Sequence, residues 1–171
     1  VPPPSHYRPI RGEVKTAWFR SGPILGVPGL TSAQRAGLRY ERQAQFHMKD
    51  LLGDKYHIAP YVHFEDSEGW RTCIPDGIYE TPDTLFVIEI KIQHMPEAWW
   101  QLRKFYVPIL EMRNRHLAAL APSVRVVPIE VCRSFDPAQP FPEPIDRLGD
   151  LARFVSAPPE GDVFGVYVWR P

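Results

Sequence analysis

The chain has 171 residues, 44% hydrophobic and 23% charged, which suits one globular domain with a sizeable core. Lys plus Arg and Asp plus Glu number 20 each, so the basic excess of a promiscuous polyanion binder is absent. No apolar run approaches the ~20 residues of a membrane span, and two isolated cysteines, Cys73 and Cys132, form no CxxC pair of the kind that holds zinc or an iron–sulfur cluster.

Residues 1–30 read as a mostly irregular arm with a short element at Val14–Arg20. Val1-Pro2-Pro3-Pro4 has neither the basic nor the apolar region of a signal peptide, so the expected compartment is the cytoplasm. Thr31 or Ser32 caps a helix that runs to about Leu52 and stops at Gly53. Gly37, Leu38, Glu41, Gln45 and Met48 share one side of it at three- and four-residue steps. Tyr56–Phe64, Trp70–Tyr79 and Thr84–Ile92 then read as strands, separated by turn signals at Glu65–Gly69 and Glu80–Asp83. The last of them is almost continuously apolar, as a central strand buried on both faces would be.

Pro96 opens a helix over Glu97–Leu120, with Pro108 inside it as a source of a kink. Val124–Val131 is a fourth strand, and a proline run from Phe135 to Pro144 precedes a short helix at Ile145–Val155 and a last strand at Val163–Trp169. Short turns make the first three strands antiparallel, and the crossover helix returns the fourth parallel to the third. The expected class is α/β: a mixed sheet flanked by helices, in the order αβββαβ over residues 31–134. The proline-rich segments, 1–30 and 135–171, lie outside that core.

Two short segments carry the chemistry. Pro75-Asp76-Gly77 sets an acid at the entry to one strand, and Glu89-Ile90-Lys91 sets an acid and a lysine two residues apart on the next. Residues at i and i+2 of a strand share a face, so Glu89 and Lys91 project together. A pair of carboxylates can hold a hard cation that prefers oxygen, such as Mg²⁺ or Mn²⁺, and a lysine beside it can orient a water. Charges at the end of the most apolar strand need such a reason, because burying them is costly. Each residue also has a plainer reading. Asp76 could be a turn residue, Glu89 and Lys91 a surface ion pair, and Glu41 an exposed helix acid.

The pattern resembles the PD-(D/E)xK nuclease superfamily, which has the restriction-endonuclease-like fold. The matching residues are Pro75-Asp76, Glu89-Ile90-Lys91 and the helix segment Gly37-Leu38-Arg39-Tyr40-Glu41, the last similar to the acidic helix motif of the lambda-exonuclease and RecB-like branches. Those branches often add Q-x-x-x-Y on the following helix. Gln101-Leu102-Arg103-Lys104-Phe105-Tyr106 nearly matches, with Phe105 at the tyrosine position and the hydroxyl of Tyr106 one residue late.

The resemblance implies a Mg²⁺- or Mn²⁺-dependent deoxyribonuclease. Asp76, Glu89, the Ile90 carbonyl and Glu41 would serve the metal, Lys91 would assist the water, and Gln101 would touch substrate or that water. Arg39, Arg42, His94, Arg103 and Lys104 would contact nucleic acid, although a solvated helix face explains many such runs. The partners implied are DNA and, through the proline-rich ends, a second copy or a larger assembly. The alternative is a non-catalytic adaptor with a nuclease-like fold in a larger assembly such as a DNA-processing complex or a phage particle; a phage-encoded chain would be expected in the virion or host cytoplasm.

Overall fold

The structure is a computed structural model that describes residues 9–23, 26, 28–118, 124–138 and 142–171. Pro2–Pro4 and residues 139–141 of the second proline run lie outside the described residues, as do the last two residues expected for the long helix.

Helix α1 spans Ser32–Leu52 as the capping signals predict. The Thr31 hydroxyl accepts from the Gln34 N–H at 3.2 Å, and the Gln34 side chain accepts from the Thr31 N–H at 2.9 Å. This reciprocal pair satisfies two donors that a helix start otherwise leaves open. Gly53, at φ 75°, ends the helix and returns its N–H to the Lys49 carbonyl. The inward side is Tyr40, Ala44, Gln45 and Met48.

The strands are β1 (Thr16–Arg20), β2 (Tyr56–Ile58), β3 (Tyr61–Asp66), β4 (Gly69–Cys73), β5 (Gly77–Glu80), β6 (Thr84–Gln93), β7 (Arg125–Ser134) and β8 (Gly165–Val168). They form two sheets, one of five strands in the order β2-β5-β6-β7-β8 and one of three in the order β1-β3-β4. β2, β5 and β6 are antiparallel, while β6, β7 and β8 are parallel. The α/β class with a mixed sheet is therefore as the sequence predicts. The antiparallel-to-parallel switch also falls at the third strand, as predicted.

The sequence predicts single strands at Tyr56–Phe64 and Trp70–Tyr79, and here the structure differs. The first breaks at Ala59, which takes φ 43°, a value most side chains avoid, and is followed by Pro60. The second breaks at Pro75, which has no N–H to give a ladder. The chain leaves the main sheet at the first break, makes the β3–β4 hairpin, and re-enters at β5. The hairpin pairs with β1, so part of the expected N-terminal arm is a strand of the second sheet.

The long helix is three consecutive pieces: α2 (Pro96–Trp99), a π-helical stretch (Trp100–Tyr106) and α3 (Val107–Ala118). The Val107 N–H reaches five residues back to the Leu102 carbonyl. This wider turn directly precedes Pro108, whose ring would clash with the carbonyl four residues back in a regular helix. A last helix, α4, spans Leu148–Ser156.

β6 divides the core. Leu85 and Val87 face the long helix and the second sheet, where they pack with Leu102, Ile109 and Leu110. Phe86, Ile88 and Ile90 face α1 and α4, where they pack with Ala44, Met48 and Leu151. Each fully buried aliphatic side chain stabilises the fold by about 1.5–3 kcal/mol. β7 is central yet contains Pro128. That residue lies one position before β8 pairing begins at Ile129, where one edge of β7 is still open. Both cysteines are buried free thiols, and burial pushes Cys73 up to about 12.

Candidate active site

The alternation that buries Leu85 and Val87 brings Glu89 and Lys91 to the same face, at the end of β6 next to the long helix. Their side chains are only 5% and 26% exposed, and the Lys91 Nζ donates to Glu89 Oε1 at 2.6 Å. β5 begins at Gly77, opposite Ile88, so past Ile88 this edge of β6 has no strand partner. Asp76 covers it, with its Oδ2 accepting the Ile90 N–H at 2.6 Å. N–H and C=O of one strand residue point to the same edge, so the Ile90 carbonyl also faces the Asp76 side.

Asp76 is fixed from its own backbone as well. Its carbonyl accepts the Ala59 N–H at 3.0 Å and the Gln45 side-chain amide at 3.2 Å. The φ of Ala59 and the buried glutamine of α1 thus serve the same residue. Gly77 follows because the Tyr56 ring lies against it: a Cβ there would stand 2.2 Å from the Tyr56 hydroxyl.

The electrostatics link the four residues named from the sequence. Burial, then the charges of Glu89 and Glu41, hold Asp76 well above the usual carboxylate range, against the Ile90 N–H and Lys91. Burial likewise raises Glu89 and Glu41, with Lys91 opposing in both cases. For Lys91 burial works downward, but Glu89 and Asp76 outweigh it and raise the group. Lys91 is therefore a held cation, suited to orienting a group and not to acting as a base at neutral pH. Among the described residues two buried polar atoms near these acids have no hydrogen-bond partner, Glu89 Oε2 and the Tyr56 hydroxyl.

Gln101 joins the group from the long helix. Its Oε1 accepts from Lys91 at 3.4 Å, and its amide donates to the Tyr106 hydroxyl at 2.9 Å. That hydroxyl donates to the Ile74 carbonyl at 3.2 Å, two residues before Asp76. The tyrosine that looks one residue late in sequence is brought into line by the π-helical stretch. With hydrogen bonds reaching five residues instead of four, residue i+5 comes to the face that i+4 holds in an α-helix. Phe105 instead packs edge-on against Phe64, with ring centroids 5.7 Å apart.

Other residues are placed differently from expectation. His94, expected to contact nucleic acid, turns inward. Its ring is 7% exposed, its Nδ1 lies 2.6 Å from Glu130 Oε2, and it stacks obliquely on Phe135. Arg103 is tied to the C-terminal segment by the Val163 carbonyl at 2.7 Å and Asp162 at 2.5 Å. Both are drawn to buried or adjacent acceptors that a helix-face pattern does not reveal. The Lys104 ammonium sits 5.5 Å from the Trp99 ring centroid. Arg39 and Arg42 are exposed on α1, beside the half-buried Glu41.

Two residues near the site were not singled out from the sequence. Glu130, fully buried, is the parallel-strand neighbour of Glu89 and accepts from the Met95 N–H and His94. A charge inside the apolar run of β7 was a readable signal, by the same logic that marks Glu89. Tyr56 gave no signal, since a tyrosine opening a strand is ordinary.

Among the described residues no three His, Cys, Asp or Glu side chains gather closely enough to enclose a metal ion by themselves. Mg²⁺ does not require such a cage, because one or two carboxylates and several waters suffice. The donors present fit it: two buried carboxylates, one with an orphaned oxygen, and a strand carbonyl on the same edge.

No family model matches this chain, and no curated protein matches it in sequence. Among solved structures it is similar to the crystal structure of protein VC1899 from Vibrio cholerae, at 18% identity and a TM-score of 0.37. That match covers 74% of this chain and 29% of the other, so the chain spans less than a third of that protein's length.

Proposed function

We propose that this chain is a divalent-metal-dependent nuclease of the PD-(D/E)xK superfamily that hydrolyses DNA phosphodiester bonds. The observation that carries the reading is Glu89 Oε2, buried among the charges of Asp76 and Glu41 and, among the described residues, without a hydrogen-bond partner, with Lys91, and for Glu41 also Arg42, to offset three acids. An uncompensated buried carboxylate oxygen is costly, and a cation is the partner that removes the cost. The topology supports it too. With the β3–β4 hairpin taken as an insertion, the order α1, β2, β5, β6, long helix, β7 is compatible with the αβββαβ order expected of a restriction-endonuclease-like fold.

Asp76 and Glu89 would hold Mg²⁺ or Mn²⁺, with the Ile90 carbonyl and Glu41 completing the donor set. The ion would supply Lewis acidity toward a phosphate oxygen and a more acidic water. The protein's own part is placement. The Ile90 N–H and the two donors on the Asp76 carbonyl fix one carboxylate. Lys91 holds the other and presents a permanent positive charge toward the scissile phosphate. Gln101 and Tyr106 keep Lys91 from swinging away, and the exposed Arg39 and Arg42 offer the phosphate backbone its first contacts.

The test is cleavage of single- and double-stranded DNA with Mg²⁺ or Mn²⁺, by wild type and by Lys91→Ala. Metal-dependent cleavage that Lys91→Ala abolishes is the expected result. DNA bound but left intact with both metals would overturn it in favour of a non-catalytic adaptor.

A further inference from the structure

Two exposed surfaces of different chemistry are each tied to the segment that carries Asp76. One is the outer side of α1, where Arg39 and Arg42 stand exposed and, among the described residues, without an ion-pair partner. Apart from Glu41 this helix has no acid before Asp50, so the surface is locally basic although the whole chain is neutral. Its Gln45 donates to the Asp76 carbonyl, which ties the helix to the site.

The other surface is the outer face of the three-stranded sheet. Trp70 is 59% exposed, Trp18 47% and Ile74 44%, unusual exposure for such large apolar groups. Trp70, Thr72 and Ile74 alternate along one face, and Trp18 joins it through His63, which is paired with Thr72 across the sheet. Trp18 is held by its stack on His63, with centroids 4.4 Å apart, and Arg20 donates to that imidazole at 3.3 Å. The strip ends at Ile74, whose carbonyl takes the Tyr106 hydroxyl, two residues before Asp76.

We propose that the site takes single-stranded DNA, its phosphates on Arg39 and Arg42 and its unpaired bases on Trp70 and Trp18. The path of the strand across Asp76 rests on the nuclease reading, whereas the binding surface does not. Cations and exposed aromatic side chains are together how proteins hold an unpaired strand: the cations follow the backbone and every base offers a π-face to stack. A duplex hides those faces and would have to bind through phosphates alone, for which a chain of zero net charge is poorly equipped. With two phosphate contacts, the dependence of log Kd on log salt should be shallow, about 0.7 per contact.

The experiment is fluorescence anisotropy in EDTA, which prevents cleavage, with a labelled oligonucleotide of about 20 residues, long enough for any single-strand site of this kind. Its duplex is the comparison. Wild type should bind the single strand at least tenfold more tightly. Trp70→Ala should weaken single-strand binding about 5- to 100-fold and leave duplex binding unchanged, while Trp70→Phe keeps most of the affinity. The joint Arg39→Ala, Arg42→Ala variant should weaken both forms and flatten the salt dependence. Thermal melting checks that each variant folds, which the exposure of these side chains favours.

Equal or tighter duplex binding, no binding of either form, or a Trp70→Ala variant with unchanged single-strand affinity would overturn the proposal. If that variant instead lost self-association in sedimentation, the face would be a contact between copies. Single-strand binding without cleavage in Mg²⁺ or Mn²⁺ would defeat the nuclease reading alone. Trp70-independent cleavage that prefers duplex would defeat this proposal alone.

Discussion

Asp66 and Glu89 are both carboxylates buried on strands, one 0% and the other 4% exposed, yet they live in opposite conditions. Asp66 accepts the Arg11 N–H at 3.0 Å, the Glu68 N–H at 2.9 Å and the Arg71 guanidinium. Among the described residues Glu89 has one lysine, and its second oxygen has no hydrogen-bond partner. Asp66 lies below the usual carboxylate range, and Glu89 lies above it. Glu130 sharpens the contrast. It sits beside Glu89 in register, is equally buried, and has both oxygens engaged by His94 and Met95. Burial and position alone therefore do not set Glu89 apart from Asp66 and Glu130. Completeness of hydrogen bonding does, because an under-satisfied charge is tolerated only where something else brings it a partner.

The strongest way to break this comparison is Asp76→Asn. The amide oxygen can still accept from the Ile90 N–H, and repulsion with Glu89 and Glu41 is relieved. Metal-dependent cleavage should fall by about 10³-fold or more, as when a preorganised electrostatic group is lost, while the melting temperature holds or rises. Undiminished cleavage would sink the catalytic role of this residue. The mirror experiment is Asp66→Ala, which strands the partly buried Arg71. It should cost about 3 kcal/mol, the range for breaking a buried pair. For a chain of this size that is roughly a 6–12 °C drop in Tm. Cleavage per folded molecule should be unchanged at a temperature where the variant is folded, and a large loss of activity there would blur the distinction.

The α/β class and the grouping of the candidate site were legible where local signals and tertiary contacts agree. The Thr31 cap, the Gly53 stop and the apolar run of β6 each say the same thing at both levels. They were illegible where one residue redirects the chain. Ala59 carries no mark of its positive φ, so the split of the first predicted strand, and with it the second sheet, could not be read. Glu89 and Lys91 could be picked out because a strand's two-residue period puts them on one face without the rest of the fold, and Asp76 because Pro75 and Gly77 mark a turn at the entry to β5. Tyr106 could not, since its hydroxyl reaches Gln101 only through a change of helix pitch. His94 and Arg103 look like surface cations in sequence because their acceptors are Glu130, Val163 and Asp162, far along the chain.

Tyr106→Phe isolates that pitch change from packing, because the ring stays and only the hydroxyl goes. Gln101 loses its acceptor and the Ile74 carbonyl its donor. The cost in stability should be about 1 kcal/mol, the net worth of a buried hydrogen bond. Cleavage should fall about tenfold at saturating metal, since Lys91 is positioned less well but still present, equivalent to ~1.4 kcal/mol on the barrier. A kcat equal to wild type would show that Gln101 holds Lys91 without help.

The smallest expected effect is on acid stability, and it tests the comparison from the structural side. Burial alone would raise Asp66, but the Arg11 and Glu68 N–H groups and Arg71 overcome it. Glu80 is lowered too, first by the hydrogen bond from His57 and also by Arg113, against burial. A carboxylate depressed by folding contributes stability that is fully present above its unfolded value and is lost as pH falls through its folded value. Wild-type Tm should therefore hold or rise from neutral pH down to about 4, as the raised Asp76, Glu89 and Glu41 take up protons, and then lose the contribution of Asp66 and Glu80. Asp66→Asn should start lower and lose less on the same descent, because one of the two depressed groups no longer titrates. Asp76, Glu89 and Glu41 have the opposite sign, so protonating them cannot account for an acid loss. Parallel acid profiles for wild type and Asp66→Asn would mean that the Asp66 cluster does not hold its charge against burial, and completeness of hydrogen bonding would lose its value as the dividing line.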